Sequence, residues 1–210
     1  MTIDFEYHLG VVERSVASLE VNGRPAHAVT LARNYDTNVD DLWDAVTNPE
    51  RLPRWFAPVS GDLRVGGRFQ LEGNAGGDIT TCDAPTHLAL TWEIGGEKSW
   101  VEVRLSSEGP ERSRLALTHT AHHTPHWDTY GSGATGVGWE LSVAALELYL
   151  VDPTVELNES TLTEAPGGMA FMRSSSERWG EASITAGLDQ GAALAAVKKT
   201  TAFYTGEAEV

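Results

Sequence analysis

The sequence predicts an α+β fold, and three features carry that prediction. From Gly61 to Thr120, apolar and polar residues alternate in short runs divided by Gly, Pro and charged turns, the pattern of an antiparallel meander. The segment 137–151 is apolar at helical spacing instead, and is long enough to cover one face of such a sheet. Asn22-Gly23, between two strand-like runs, marks a tight hairpin because both residues tolerate positive φ.

Taken in order, residues 12–35 form the two strands of that hairpin, with Val29, Leu31, Arg33 and Tyr35 on one face. Arg33 is either an inward charge awaiting a carboxylate ligand or, the reading taken here, a strand-end residue that snorkels to water. Asn38 caps a helix in which Val39, Leu42, Trp43 and Val46 recur at helical spacing until Asn48-Pro49 stops it. A second short helix is expected around Arg51–Phe56. Strands follow near 63–72, 77–83, 87–94, 99–106 and 113–120. Leu88, Leu90, Trp92 and Ile94 share a face, as do Val101, Val103 and Leu105, then Leu115, Leu117 and His119, whereas Glu102 and Arg104 point the other way. The glycine-rich GNAGGD at 73–78 is a hairpin turn, because neither a Lys nor a helix start follows it to cradle a phosphate.

The 137–151 helix carries two stripes. Val137, Leu141, Ala144, Ala145 and Leu148 form the first, which the sheet is expected to cover; Trp139, Val143, Leu146 and Leu150 form the second. A helix apolar on two sides is buried on two sides. After the Asp152-Pro153 break and a polar connector at 154–165, helices are expected at about 168–186 and 188–204, interrupted at Gly187. They are the natural cover for the second stripe. The chain is thus divided into a domain at 1–151, with the hairpin as its N-terminal extension, and a helical extension at 152–210 packed on it. Intrachain packing makes a monomer, and exchange with a neighbour makes a homodimer.

Fifteen Lys and Arg against thirty Asp and Glu give a formal charge of −15, which repels phosphate backbones and anionic lipid. Neither nucleic acid nor membrane is expected as a partner. One cysteine, Cys82, fits a reducing cytoplasm. No signal peptide and no membrane span is expected, since no basic start with an apolar run and no stretch of about 18 apolar residues occurs.

Several strings are familiar. VDDLWDAVTNPERLPRWFAP at 39–58 places Trp43, Pro49, Trp55 and Pro58, GDLRVGGRF at 61–69 contributes a Gly-Gly strand start, and HLALTW at 87–92, LTH at 117–119 and Gly138-Trp139 follow. Over about 27–151 the chain resembles the START, polyketide-cyclase and birch-pollen-allergen superfamily, in the branch named for the activator of the heat-shock-protein-90 ATPase. The resemblance implies a helix-grip fold, in which a curved antiparallel sheet wraps a long C-terminal helix around a cavity. It says nothing about the last sixty residues.

In such a fold the inward residues line the cavity. The expected ligand contacts are Trp55, Phe69, Leu90, Trp92, Val103, Leu117, His119 and Leu141. His119 has inward parity; it is either a core histidine satisfied by hydrogen bonds or the polar anchor of a ligand. His122, His123 and His126 are read as a solvated loop at the cavity mouth. Pro125 and the glycines at 131, 133, 136 and 138 argue against a regular helix there, so nothing converges these rings with Asp128 on a metal. No metal or cofactor is expected. Catalysis is not expected either, although His119 with Asp128 and Tyr130 provides an acid–base set; no G-x-S-x-G elbow occurs, and Cys82 has no neighbouring histidine.

The leading function is binding of a small apolar or amphipathic molecule in an internal cavity. Two alternatives stand beside it: a co-chaperone-like domain acting on a heat-shock chaperone in a stress response, and a cyclase- or hydrolase-type enzyme using His119 or Asp128. Truncation after Val151 should yield an aggregating or strongly destabilised protein, because about 25 cal/mol per Å² of lost burial accumulates to several kcal/mol. A truncated chain that stayed monomeric and equally heat-stable would detach the extension from the domain.

Overall fold

In a computed structural model, which describes residues 3–155, 157 and 159–207, eight strands form one antiparallel sheet. These are β1 (Glu13–Val21), β2 (Arg24–Tyr35), β3 (Val59–Gly61), β4 (Arg68–Leu71), β5 (Gly76–Asp83), β6 (His87–Ile94), β7 (Glu97–Gly109) and β8 (Arg112–His122). Their order in the sheet is β1-β2-β8-β7-β6-β5-β4-β3. The hairpin turn has both Asn22 and Gly23 at positive φ, as its sequence requires. Parity holds as expected: Val29, Leu31, Tyr35, Val101, Val103, Leu115 and Leu117 are all buried on the concave face. That face wraps a helix, and the architecture is the helix-grip fold.

Between β2 and β3 run α2 (Val39–Thr47), capped by the Asn38 side chain, and a short 3-10 turn (Leu52–Arg54). Of the strand expected at 63–72 only Arg68–Leu71 is extended, as β4; β3 precedes it at Val59–Gly61, and a turn joins the two. A Cβ on Gly67 would meet the Asp62 carbonyl oxygen, so the chain must fold back there rather than run straight. A helix the sequence did not announce, α1 (Phe5–Val11), precedes β1; Asp4 caps it, and Phe5 packs on Phe171 with ring centroids 5.0 Å apart.

The loop expected at 121–136 is largely helical. Thr124 caps α3 (Pro125–Tyr130), Gly131 turns the chain at φ 59°, and α4 runs from Gly133 to Val151. Glycine weakens a helix by about 1 kcal/mol relative to alanine, which is why the glycines read as breakers. Here they permit close packing. A Cβ on Gly136 would overlap the indole of Trp179, which lies fully buried against it. The extension supplies that indole: after α5 (Glu159–Thr163) come α6 (Gly168–Thr185) and α7 (Gln190–Thr205), close to the expected limits. Residues 156 and 158 of the expected connector lie outside the described residues.

The two stripes of α4 are assigned the other way round from expectation. Trp139, Val143 and Leu146 face the sheet, and α6 packs where Gly136 and Glu140 leave room. By length and composition α4 could cross a membrane, yet it is the core helix, with half of its apolar window buried.

Two carboxylates on α4 decide how it sits. Glu140 is 1 % exposed; it receives the Arg14 guanidinium, the Ser175 hydroxyl at 2.8 Å and the Trp179 indole N–H at 3.0 Å. Two turns on, Glu147 pairs with Arg33 at 2.9 Å. Arg33 therefore does not reach water: its side chain is fully buried, over the Tyr35 ring and beside His8. Removing one member of a buried pair strands the other, at a cost of about 3–5 kcal/mol. Glu140→Ala should lose stability of that order in urea unfolding, and Arg14→Met with Glu140→Met together should lose distinctly less. Equal losses would refute the pairing as the source.

Candidate functional site

The concave face and α4 do not meet everywhere. Between β4–β8, α4, α2 and the 3-10 turn lies a cavity of about 160 Å³. Phe69, Leu90, Trp92, Val103 and Leu117 project into it from alternate strand positions, and Trp55 closes the end where the 3-10 turn arrives. Trp55 is held by its indole N–H, which donates to the Ala45 carbonyl at 3.0 Å. Six of the eight residues expected from sequence thus line the space. Leu141 does not. It is buried, but at about 100° per residue it falls on the side of α4 opposite Val143 and Leu146, which line the cavity with Trp139 and Ser142.

Aromatic rings form a connected series around the cavity. Centroids lie 5.4 Å apart for Trp55 and Phe56, 5.9 Å for Phe56 and Trp139, 5.1 Å for Trp139 and Trp92, and 6.1 Å for Trp92 and Phe69. Trp139 was not expected in this wall; the Gly138-Trp139 string marked it, but stripe geometry had turned it toward the extension, whereas Phe56 lies beside Trp55 at the rim, where the two short helices were expected to meet it. None of the lining residues carries a charge. Thr47 and Ser142 donate their hydroxyls to the Trp43 and Gly138 carbonyls of their own helices, at 2.7 and 2.9 Å. What remains is an apolar wall with a few acceptor lone pairs and the free thiol of Cys82. The rim carries Val59 and Leu63, the latter 41 % exposed.

His119 stands behind this wall, edge-on to Trp92 and Trp139. The Trp139 indole N–H donates to its Nδ1 at 3.0 Å, so that nitrogen is unprotonated and Nε2 carries the hydrogen. Nε2–H then donates to Ser99 Oγ at 2.8 Å, and Ser99 donates to the Trp92 carbonyl at 3.0 Å. Both ring nitrogens are occupied within the protein. Of the two readings of His119, the geometry matches the satisfied core histidine, whose service is to fix the two indoles. Burial pushes its pKa from 6.5 down to about 4.

The other histidines of the cluster part company. His122 points to the outer face, edge-on to Trp100 at 5.2 Å. His126 lies against Tyr130 on α3. His123 bonds His27 at 2.8 Å and Asp128 at 3.0 Å. Asp128 thus serves His123 and not His119, and the acid–base set considered from sequence is not assembled. Among the described residues no group of three His, Cys, Asp or Glu converges as a metal site.

Residues 36–151, more than half of the chain, match the family described as Activator of Hsp90 ATPase homolog 1-like protein. The crystal structure of CalU16 from Micromonospora echinospora is similar at 32% identity and TM-score 0.68, over 81% of this chain and 97% of that one. Its solution NMR structure agrees, at 30% identity and TM-score 0.70, over 83% and 96%. DynU16, from the dynemicin biosynthetic locus, shares the fold at 22% identity and TM-score 0.54, over 63% of this chain and 50% of that one. No functionally curated protein matches the chain.

A histidine kept neutral by burial makes stability depend on pH. The unfolded chain takes up a proton near pH 6.5 that folded His119 refuses until about pH 4. Stability is therefore full above 6.5 and falls as pH drops toward 4, by about 3 kcal/mol from this group. His8, likewise lowered to about 4 by burial and then by Arg33, adds to the slope in the same direction. Urea unfolding between pH 7 and 4 should show a shallower decline for His119→Asn than for the parent. Parallel profiles would sink the assignment.

Proposed function

We infer a function from the premise that the chain belongs to the family of Activator of Hsp90 ATPase homolog 1-like proteins: it binds a small apolar or amphipathic molecule in the cavity between sheet and α4. The observation that carries this reading is an uncharged, aromatic-lined pocket of about 160 Å³ between sheet and α4, open at the Val59 and Leu63 rim. Apolar surface there is removed from water when an occupant enters, at about 25 cal/mol per Å². A dry cavity of about 150 Å³ holds a benzene-sized molecule. A single ring with a short tail fits without rearrangement, and larger ligands require Phe56 or the Leu63 rim to move.

The reading is binding rather than turnover. Hydroxyl hydrogens of Thr47 and Ser142 are held by helix carbonyls, and His119 has no open nitrogen. A cytoplasmic location goes with it, on the single thiol of Cys82.

Propylbenzene is a suitable probe. At one hundred times its dissociation constant it should add about 2.7 kcal/mol to stability, read as a rise in the thermal midpoint. Leu90→Trp, which places an indole in the cavity, should keep the fold and lose the response. Absence of a shift across a series of alkylbenzenes, or an equal shift in Leu90→Trp, would refute the site. Stimulation of Hsp90 ATP turnover by parent and Leu90→Trp alike would favour the chaperone reading instead.

A further inference from the structure

A second cleft, of about 260 Å³, opens where α3, the start of α4, α6 and α7 meet the start of β2. It shares no lining residue with the apolar cavity. Half its wall comes from α6 and α7, outside the span matched to the family, so it exists because of the extension.

Its electrostatics are one-sided. Asp128 and Asp189 line it, and no Lys or Arg does. Asp189 is partly engaged, since one oxygen caps α7 through the Ala192 N–H. Asp128 ends a directional chain. Its Oδ1 takes the Nε2–H of His123, whose Nδ1 then accepts from His27 Nε2, whose Nδ1 in turn faces the Ser18 hydroxyl at 3.4 Å. With both imidazoles neutral, every hydrogen in the chain points toward the carboxylate, and the charge on Asp128 is hydrogen-bonded but faces no formal cation. His27 also stacks on one face of Trp127, 4.0 Å between centroids and 2° from parallel, and both rings line the cleft, as does Tyr130.

We propose that this cleft is a binding site for a small organic ammonium ion with an apolar body. The ammonium meets the Asp128 carboxylate beside the Trp127 and Tyr130 rings of the same wall, a carboxylate and aromatic groups being what recognises organic cations. The body lies along Leu188, Ala193 and Val197. A chain of net charge −15 also draws cations toward it. The site is independent of the function proposed above, and either reading can fail without the other.

Calorimetric titration with phenethylammonium tests it, run at an ionic strength that screens the overall charge, beside 2-phenylethanol and 3-phenylpropanoate. Saturable binding of the ammonium is expected, with the alcohol weaker and the carboxylate without measurable heat. Asp128→Asn, at an exposed position, should weaken binding about tenfold. Ala192→Trp, on the exposed rim, should block it, whereas Leu90→Trp in the other cavity should leave it unchanged. The proposal is overturned if no probe saturates, if the carboxylate binds as tightly as the ammonium, or if the ammonium binds Asp128→Asn and Ala192→Trp as it binds the parent.

Discussion

Two buried ion pairs, Arg14 with Glu140 and Arg33 with Glu147, tie α4 to the β1–β2 end of the sheet, and much else depends on that asymmetry. Charges removed from water hold their partners closely, because an unpaired buried charge is far more costly than a lost contact. The helix is consequently drawn down at one end of the concave face, where Tyr35 also donates to the Val143 carbonyl at 3.1 Å. At the other end, under β4–β8, apolar side chains separate helix from sheet, and the Trp139–His119 hydrogen bond ties the two at their edge. That is where the cavity lies.

The same carboxylate bonds the extension. Glu140 accepts from Ser175 and Trp179 on α6 while it receives Arg14 from β1, so sheet, core helix and extension meet at one side chain. Gly136 lets the Trp179 indole approach, and the Ser132 hydroxyl donates to the Trp179 carbonyl at 3.0 Å. Through these contacts α4 is buried on its second side. The closure of α6 and α7 over α3 then frames the second cleft, which the core fold alone does not contain.

Histidines that look chemical in sequence serve mostly as connectors. His119 joins two indoles to Ser99; His123 joins the β2 strand to α3 through His27 and Asp128. In each case the direction of donation follows from the partner that has no choice: an indole N–H can only donate, and a carboxylate can only accept. The tautomer is set from that fixed end, and with it whether the ring faces a ligand as donor, acceptor or neither.

Local pattern determined a great deal. The Asn22-Gly23 hairpin, the Asn38 cap, the alternating strands and the breaks at Asp152-Pro153 and Gly187 are written in neighbouring residues, and so is the inward set Phe69, Leu90, Trp92, Val103 and Leu117, because strand parity reverses every residue. The sequence also required that α4 be covered twice. Which stripe met which layer was decided only by tertiary structure. Assigning Leu141 to the cavity and Trp139 to the extension went wrong because hydrophobicity is non-directional and both stripes satisfy it equally. The discriminating groups were polar: Glu140 and Glu147, two turns apart on an apolar helix, and Arg14 and Arg33 at inward positions. Their meaning is pairwise and long-range, and a charge read alone along the chain looks as though it belongs in water, whereas in the folded protein it chooses the side on which the helix lies.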